Sequence, residues 1–183
     1  MPATTWDRHV QVNLPGTFRV CQVVAQVMVA ARTGGWITVI SSNLALGHTD
    51  YVSAYNVTKS ALLSMVRSAV AEFGVHRIRV NAVLPGAIAT AMTRQMLDEP
   101  GVTEGLLNLT PMGRLGRPSD VTSAVAYLVL ARGPVDRWRG ARCRWRSVHL
   151  WAARMDPPGP VHTVRAAVAA ALPAAMSCMA MVA

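Results

Sequence analysis

Two short β-branched runs, 36–41 (WITVIS) and 77–84 (RIRVNAVL), each follow a long apolar stretch, and this order constrains the fold more than any other feature of the chain. The first stretch, 16–32 (GTFRVCQVVAQVMVAAR), is closed by Gly34-Gly35 and is long enough for a helix. The second, 53–73 (SAYNVTKSALLSMVRSAVAEF), has Ser53 as its expected N-cap and Gly74 as its stop. The run 36–41, short and following Gly-Gly, reads as a buried strand, and 77–84 reads as a strand. The second run ends at Pro85-Gly86, and 87–117 reads as loop with short helical pieces. Pro118-Ser119-Asp120 then opens a helix expected to run to about Arg132. Strands separated by helices pair in parallel, because each return along the sheet needs a crossover. The expected class is α/β, a parallel sheet covered by helices, and two clear strands make only part of such a domain.

A core is affordable: 52% of the 183 residues are hydrophobic and 15% charged, which excludes a solvated, disordered chain over most of the length. Cys21, Cys143 and Cys178 form no CxxC pair, so neither a disulfide scaffold nor a zinc site is expected, and no metal residue is assigned. The start, MPATTWDRHVQVNL, lacks a basic-then-apolar leader, which makes a cytoplasmic location the expectation. The net charge of +9 is uneven. Residues 1–133 hold ten Arg and one Lys against seven acids, while 134–183 hold seven Arg against two acids. Five of those Arg, from Arg137 to Arg146, fall within ten residues and are interleaved with Trp138 and Trp145. A run of that kind suits nucleic acid. Lys59 is the only lysine, which in so Arg-rich a chain asks for a chemical reason.

That reason lies in its spacing. Tyr55 and Lys59 are four residues apart on the expected helix and share a face. Ser42 lies thirteen residues before Tyr55, at the C-terminal end of the first strand, where open α/β sheets hold ligands. Hydride transfer to or from carbon leaves an oxygen whose proton must be handled. A free Tyr titrates near pH ~10, too high for a base at neutral pH. An ammonium ~4 Å away at an effective dielectric of ~20 is worth about 4 kcal/mol, at most roughly three pKa units. Lys59 is thus expected to draw Tyr55 toward the useful range, with Ser42 hydrogen-bonding the substrate oxygen.

These residues resemble the C-terminal half of a short-chain dehydrogenase/reductase. The chain carries that family's Tyr-x-x-x-Lys as Tyr55-Asn-Val-Thr-Lys59, and the family serine within Ile40-Ser41-Ser42. Asn13, in Val12-Asn13-Leu14-Pro15-Gly16-Thr17-Phe18, corresponds to the family's active-site asparagine, twenty-nine residues before Ser42. Arg79-Val80-Asn81-Ala82-Val83-Leu84-Pro85-Gly86 resembles the strand and turn beside the nicotinamide, and Ile88 and Thr90 the residues that hold its carboxamide. The segment from Pro111 to Val121 resembles the lead into the last family helix. The likeness spans about 6–133, and the look is closest to 3-oxoacyl-carrier-protein reductases and alcohol dehydrogenases.

The resemblance implies a partial Rossmann-like, doubly wound parallel sheet. It also implies reversible hydride transfer between NAD(P)(H) and a small alcohol or carbonyl substrate. Tyr55 is then the general acid/base, and Lys59 binds the nicotinamide ribose and lowers the Tyr55 pKa. Ser42 positions substrate, and Asn13 holds a water that links Lys59 to solvent. Tyr55, Lys59, Pro85, Gly86, Ile88 and Thr90 form the cofactor-binding set. None of the 13 glycines makes the family's Thr-Gly-x-x-x-Gly-x-Gly phosphate turn, and the acidic or basic residue that selects the cofactor would lie in the same absent half, so the cofactor is NAD or NADP without distinction. The N-terminal βαβ units are expected to be missing, with cofactor affinity weakened or lost. The expected assembly is a homo-oligomer or a pairing with a related subunit, with no specific nucleic acid and no membrane. The alternatives are a non-catalytic remnant or partial subunit and, behind it, a basic-tail binder of nucleic acid or membrane.

The expected division is a catalytic segment, 1–133, and an Arg/Trp/Ala-rich tail, 134–183, out of frame or disordered. Residues 138–147 (WRGARCRWRS), back-translated with CGN arginines and shifted by one nucleotide, permit Gly-x-Val-Leu-x-Val-Asp-Gly-Gly, the family's ending. A frameshift accounts for the arginine cluster without nucleic acid. Residues 166–183 lack charge, which permits a membrane span, but they are mostly Ala with Pro173. His48 and Asp50 near Ser42 suggest a hydrolase triad, but no Gly-x-Ser-x-Gly elbow supports one. Met92 and Met96 are expected in a loop over the site or buried, and Asn81 is expected to be structural.

Overall fold

The computed structural model describes residues 2–47, 52–130, 144–145 and 148–151. The N-terminus is helical from Ala3 onward: α1 (Ala3–Gln11), a π turn (Val12–Gly16) and α2 (Thr17–Ala31). Pro15 lies in the π turn and has no N–H to give the ladder, which favours a local widening of this kind. The expected helix 16–32 is therefore the second part of a longer one. α2 ends with Arg32 in the left-handed region at φ 54, rather than with a glycine. Gly34 follows at φ +65, and a Cβ there would come 2.8 Å from the Arg77 carbonyl oxygen.

β1 (Gly35–Ile40) and α3 (Ser53–Phe73) lie within a residue of their expected ranges. Val52, not Ser53, is the cap residue of α3, and no side chain caps the helix. α3 stops at Gly74 as expected, though not through a left-handed glycine. Gly74 stays right-handed and opens a 3-10 turn, and Arg77 reverses the chain at φ 60. β2 (Ile78–Pro85) runs parallel to β1 in the register Gly35↔Ile78 to Ile40↔Val83. The expected loop contains α4 (Arg94–Leu97) and α5 (Val102–Asn108), and α6 spans Pro118–Leu130.

Within the tail expected to be out of frame or disordered, six residues are described, and they are strand. β3 (Arg144–Trp145) and β4 (Val148–Trp151) extend the sheet in the order β1-β2-β4-β3, with β4 antiparallel to β2. The run 166–183 and most of the arginine cluster lie outside the described residues.

Both faces of β2 are covered, and its residues are buried without a break from Val80 to Leu84. On one face Ile37 and Val39 of β1 and Ile78, Val80, Ala82 and Leu84 of β2 pack with Leu62, Leu63 and Val66 of α3. On the other, Val83 meets Leu128 of α6, flanked by Ile40, Val121 and Val125. Arg79 pins α6 to the sheet: its Nη2 donates to the Leu128 carbonyl at 2.8 Å, and its guanidinium lies 5.7 Å from the Trp36 ring. A cation on the last carbonyls of a helix is favoured by the helix dipole. At the other end of α6, Asp120 accepts from Arg114 at 2.8 Å and from the Arg117 N–H at 2.8 Å, which together hold its carboxyl down at about 2.

Candidate active site

β1 delivers two serines with different tasks. The Ser41 hydroxyl donates to the Lys59 carbonyl at 2.8 Å, tying the strand end to α3. Ser42 is extended, and its Oγ accepts from the Leu44 N–H at 3.2 Å, capping the 3-10 turn Asn43–Leu46. Its hydroxyl donates to Asn43 Oδ1 at 3.3 Å and lies close enough to the Tyr55 phenol to favour the phenolate. Tyr55 lies in the first turn of α3 and Lys59 one turn on, with Nζ 5.6 Å from the phenol ring centroid. The spacing read from the sequence thus brings Ser42, Tyr55 and Lys59 together.

The electrostatics differ from expectation. Lys59 is 4% exposed, and its Nζ donates to the Ile40 carbonyl at 3.2 Å rather than turning to the phenol oxygen. Burial pushes the Lys59 ammonium down to about 8. Burial also raises Tyr55 above its ordinary value, and the neighbouring Ser42 hydroxyl offsets only part of this. The expected lowering by Lys59 gives way because desolvation of the phenolate outweighs every favourable contact. The Tyr55 ring packs beside a small apolar cluster of Val52, Met96 and Val102, which is the source of that desolvation and where Met96 is buried.

Asn13 is 1% exposed in the π turn, and its Nδ2 donates to Thr58 Oγ1 at 3.0 Å. Thr58 in turn donates to the Tyr55 carbonyl at 2.9 Å. Asn13 therefore braces the turn of α3 that carries both Tyr55 and Lys59. Sequence reasoning passed over Thr58; its position three after Tyr55 on the same helix face was the available signal.

Pro85 ends β2 and Gly86 follows it, leaving the sheet at the same C-terminal edge as Ser42. Beyond them Ile88 bridges to Gly116, with Ala89 N–H donating to the Gly116 carbonyl at 2.9 Å. The Thr90 N–H donates to Thr93 Oγ1 at 2.9 Å, and Thr93 donates to the Ile88 carbonyl at 2.7 Å. Residues 88–93 are therefore a fixed turn rather than a loose loop. A cleft of about 480 Å³ lined by Val29, Ala30, Arg32, Val75, His76 and Arg77 lies at the opposite end of the strands and includes none of these residues. His48 and Asp50 lie outside the described residues.

A parallel β-sheet flanked by helices, with Ser, Tyr and Lys converging at its C-terminal edge, defines an α/β protein of the Rossmann-like class. A family profile described as Enoyl-(Acyl carrier protein) reductase matches residues 1–133. The (3R)-3-hydroxyacyl-CoA dehydrogenase of Mus musculus is 39% identical over 132 residues, covering 70% of this chain and 49% of that protein. Among solved structures, a 3-oxoacyl-[acyl-carrier protein] reductase with bound NAD from Brucella melitensis is 38% identical at a TM-score of 0.63, over 70% of this chain and 46% of that one. A gluconate 5-dehydrogenase from Burkholderia cenocepacia in complex with NADP and tartrate is 28% identical at 0.68, over 70% and 50%. The chain belongs to the short-chain dehydrogenase/reductase family of oxidoreductases. It spans about half the length of the curated hydroxyacyl-CoA dehydrogenases it matches.

Proposed function

We propose that the chain carries the proton-handling half of a nicotinamide-dependent oxidoreductase site, acting on a small alcohol or carbonyl of the 3-oxoacyl or polyol kind. The convergence of Ser42, Tyr55 and Lys59 at the C-terminal edge of β1 carries this reading. The residues suit the nicotinamide end of NAD or NADP: a buried ammonium at Lys59, and the hydrogen-bonded turn 88–93 beyond Pro85 and Gly86. When bound, the cofactor supplies or accepts the hydride. Ser42 Oγ donates to the substrate oxygen and orients it. Tyr55, kept protonated at neutral pH by burial, gives its phenolic proton to that oxygen in reduction and takes one back in oxidation. Lys59, charged below about pH 8, holds the ribose hydroxyls and steadies the phenolate that proton transfer leaves. Asn13 holds this turn of α3 through Thr58.

The test is NADH or NADPH oxidation with a 3-oxoacyl thioester. Tyr55→Phe removes the transferable proton and is expected to lower kcat by about 10²–10⁴-fold with little change in cofactor binding. Reductive activity is expected to fall as pH rises through about 8, where Lys59 loses its charge. Unchanged turnover in Tyr55→Phe would refute the assignment. No quenching of Trp fluorescence by either cofactor would favour a non-catalytic partial subunit.

A further inference from the structure

Thr93 stands at the start of α4, yet its hydroxyl makes no capping bond to that helix. It turns back instead onto the segment 88–90. Thr93 Oγ1 donates to the Ile88 carbonyl at 2.7 Å, with the Thr90 carbonyl a longer second acceptor at 3.2 Å. It accepts from the Thr90 N–H at 2.9 Å. Its remaining contact is with Thr90 Oγ1 at 3.1 Å, and the Thr93 N–H donates to the same oxygen at 3.3 Å. Both threonines are half-buried.

A hydroxyl has one proton and two lone pairs, and a carbonyl can only accept. The Thr93 proton has carbonyls for both its acceptors, so it is committed to them. In the contact between the two hydroxyls Thr90 is therefore the donor. Thr93 then has nothing left for a ligand, because its lone pairs take the Thr90 N–H and the Thr90 O–H. Thr90 keeps one group. Its proton is spent on Thr93, one lone pair takes the Thr93 N–H, and among the described residues nothing takes the other. An isolated threonine hydroxyl rotates to give or to accept; beside Thr93, Thr90 only accepts.

We propose that Thr93 is a positioning residue that fixes the Thr90 hydroxyl as an acceptor, so that this turn selects a ligand carrying a primary carboxamide N–H. The proposal rests on the reading of the turn 88–93 as the nicotinamide end of the site. A primary amide offers an N–H donor as well as a carbonyl, whereas a methyl ketone of the same size offers the carbonyl alone. Against a fixed acceptor the ketone leaves the Thr90 lone pair unpaired, and a site built around one hydrogen bond rejects a ligand that cannot make it. Thr93 touches neither ligand and acts only through Thr90.

The test titrates the full chain in a calorimeter with NAD and NADP and with their 3-acetylpyridine analogues, in which a methyl group replaces the amide nitrogen. The chain is expected to prefer the carboxamide form by about fivefold, the worth of one hydrogen bond. Thr93→Val keeps the side-chain shape and removes the hydroxyl. Thr90 is then free to turn its proton to the ketone carbonyl, and the preference is expected to fall to within about twofold. Thr93→Ser is expected to restore it. With no ligand present, exchange of the Thr90 amide is expected to quicken by about tenfold in Thr93→Val, which loses its acceptor, and to stay unchanged in Thr93→Ser. A preference that survives Thr93→Val, one that Thr93→Ser fails to restore, an unmoved Thr90 amide, or a chain that binds both forms alike would each overturn the proposal and leave the cofactor reading standing. A chain that binds none of these dinucleotides overturns the cofactor reading, and the proposal with it.

Discussion

Lys59 shows at the residue scale how a functional group opposes the fold that holds it. Its ammonium is nearly buried and meets one carbonyl, so the folded chain holds the proton less tightly than the unfolded chain does. Between about pH 8 and 10.5 the unfolded state binds more protons, and stability therefore rises with pH through that window. Below about 8 the whole cost is present, on the order of 3 kcal/mol at 1.4 kcal/mol per pKa unit. Lys59→Met is accordingly expected to stabilise the chain at pH 7 and to lose that advantage as pH approaches 10.5. Urea melts at the two pH values check this, and equal stability of the two proteins at pH 7 would contradict it. The Tyr55–Lys59 pair was legible from spacing alone, since helical periodicity fixes which side chains share a face. The direction of the Tyr55 shift was not, because it depends on Val52, Met96 and Val102 arriving from three separate segments.

At the scale of elements, strand and helix identity followed from local pattern, while their ends followed from backbone contacts the pattern does not contain. α3 and the two parallel strands lie where periodicity put them, yet the left-handed residues are Arg32 and Gly34 after α2 and Arg77 after α3, not Gly35 or Gly74. The apolar stretch 16–32 gave no sign of α1 before it; a π turn lets the chain keep its helical course through Pro15 and Gly16. Gly34 is needed for another reason than the one its sequence position suggests. It adopts φ +65 while its α-carbon faces the Arg77 backbone, so strain and collision coincide. Gly34→Ala is expected to destabilise by more than about 1 kcal/mol, with the loss felt first where β1 meets β2 at Gly35↔Ile78. Chemical denaturation measures the first and amide exchange at the Gly35 N–H the second; an unchanged midpoint would mean that the Arg77 loop yields without cost.

At the scale of the whole molecule the two edges of the parallel pair are in different states. Among the described residues β1 has one open side, whereas β2 is closed by β4, which comes from beyond the segment that matches the family. No periodicity announced β4, because Val148–Trp151 is a short run in an Arg-rich setting and its strand character comes from the edge it meets. The pairing Ala82↔Trp151 to Pro85↔Val148 covers the half of β2 that leads directly into Pro85 and Gly86. Closing that edge therefore bears on the site as well as on solubility, since an unpaired strand beside an apolar core invites edge-to-edge association. A chain ended at residue 133 is expected to melt at lower denaturant than the full chain, to aggregate at concentrations where the full chain does not, and to lose amide protection from Ala82 to Pro85 before it loses protection at Ile78 and Val80. Denaturation with native-state exchange on both proteins decides the matter. If the shortened chain keeps its midpoint and the protection of its β2 amides, the tail adds nothing to the fold, and the sheet is the two-stranded parallel pair alone.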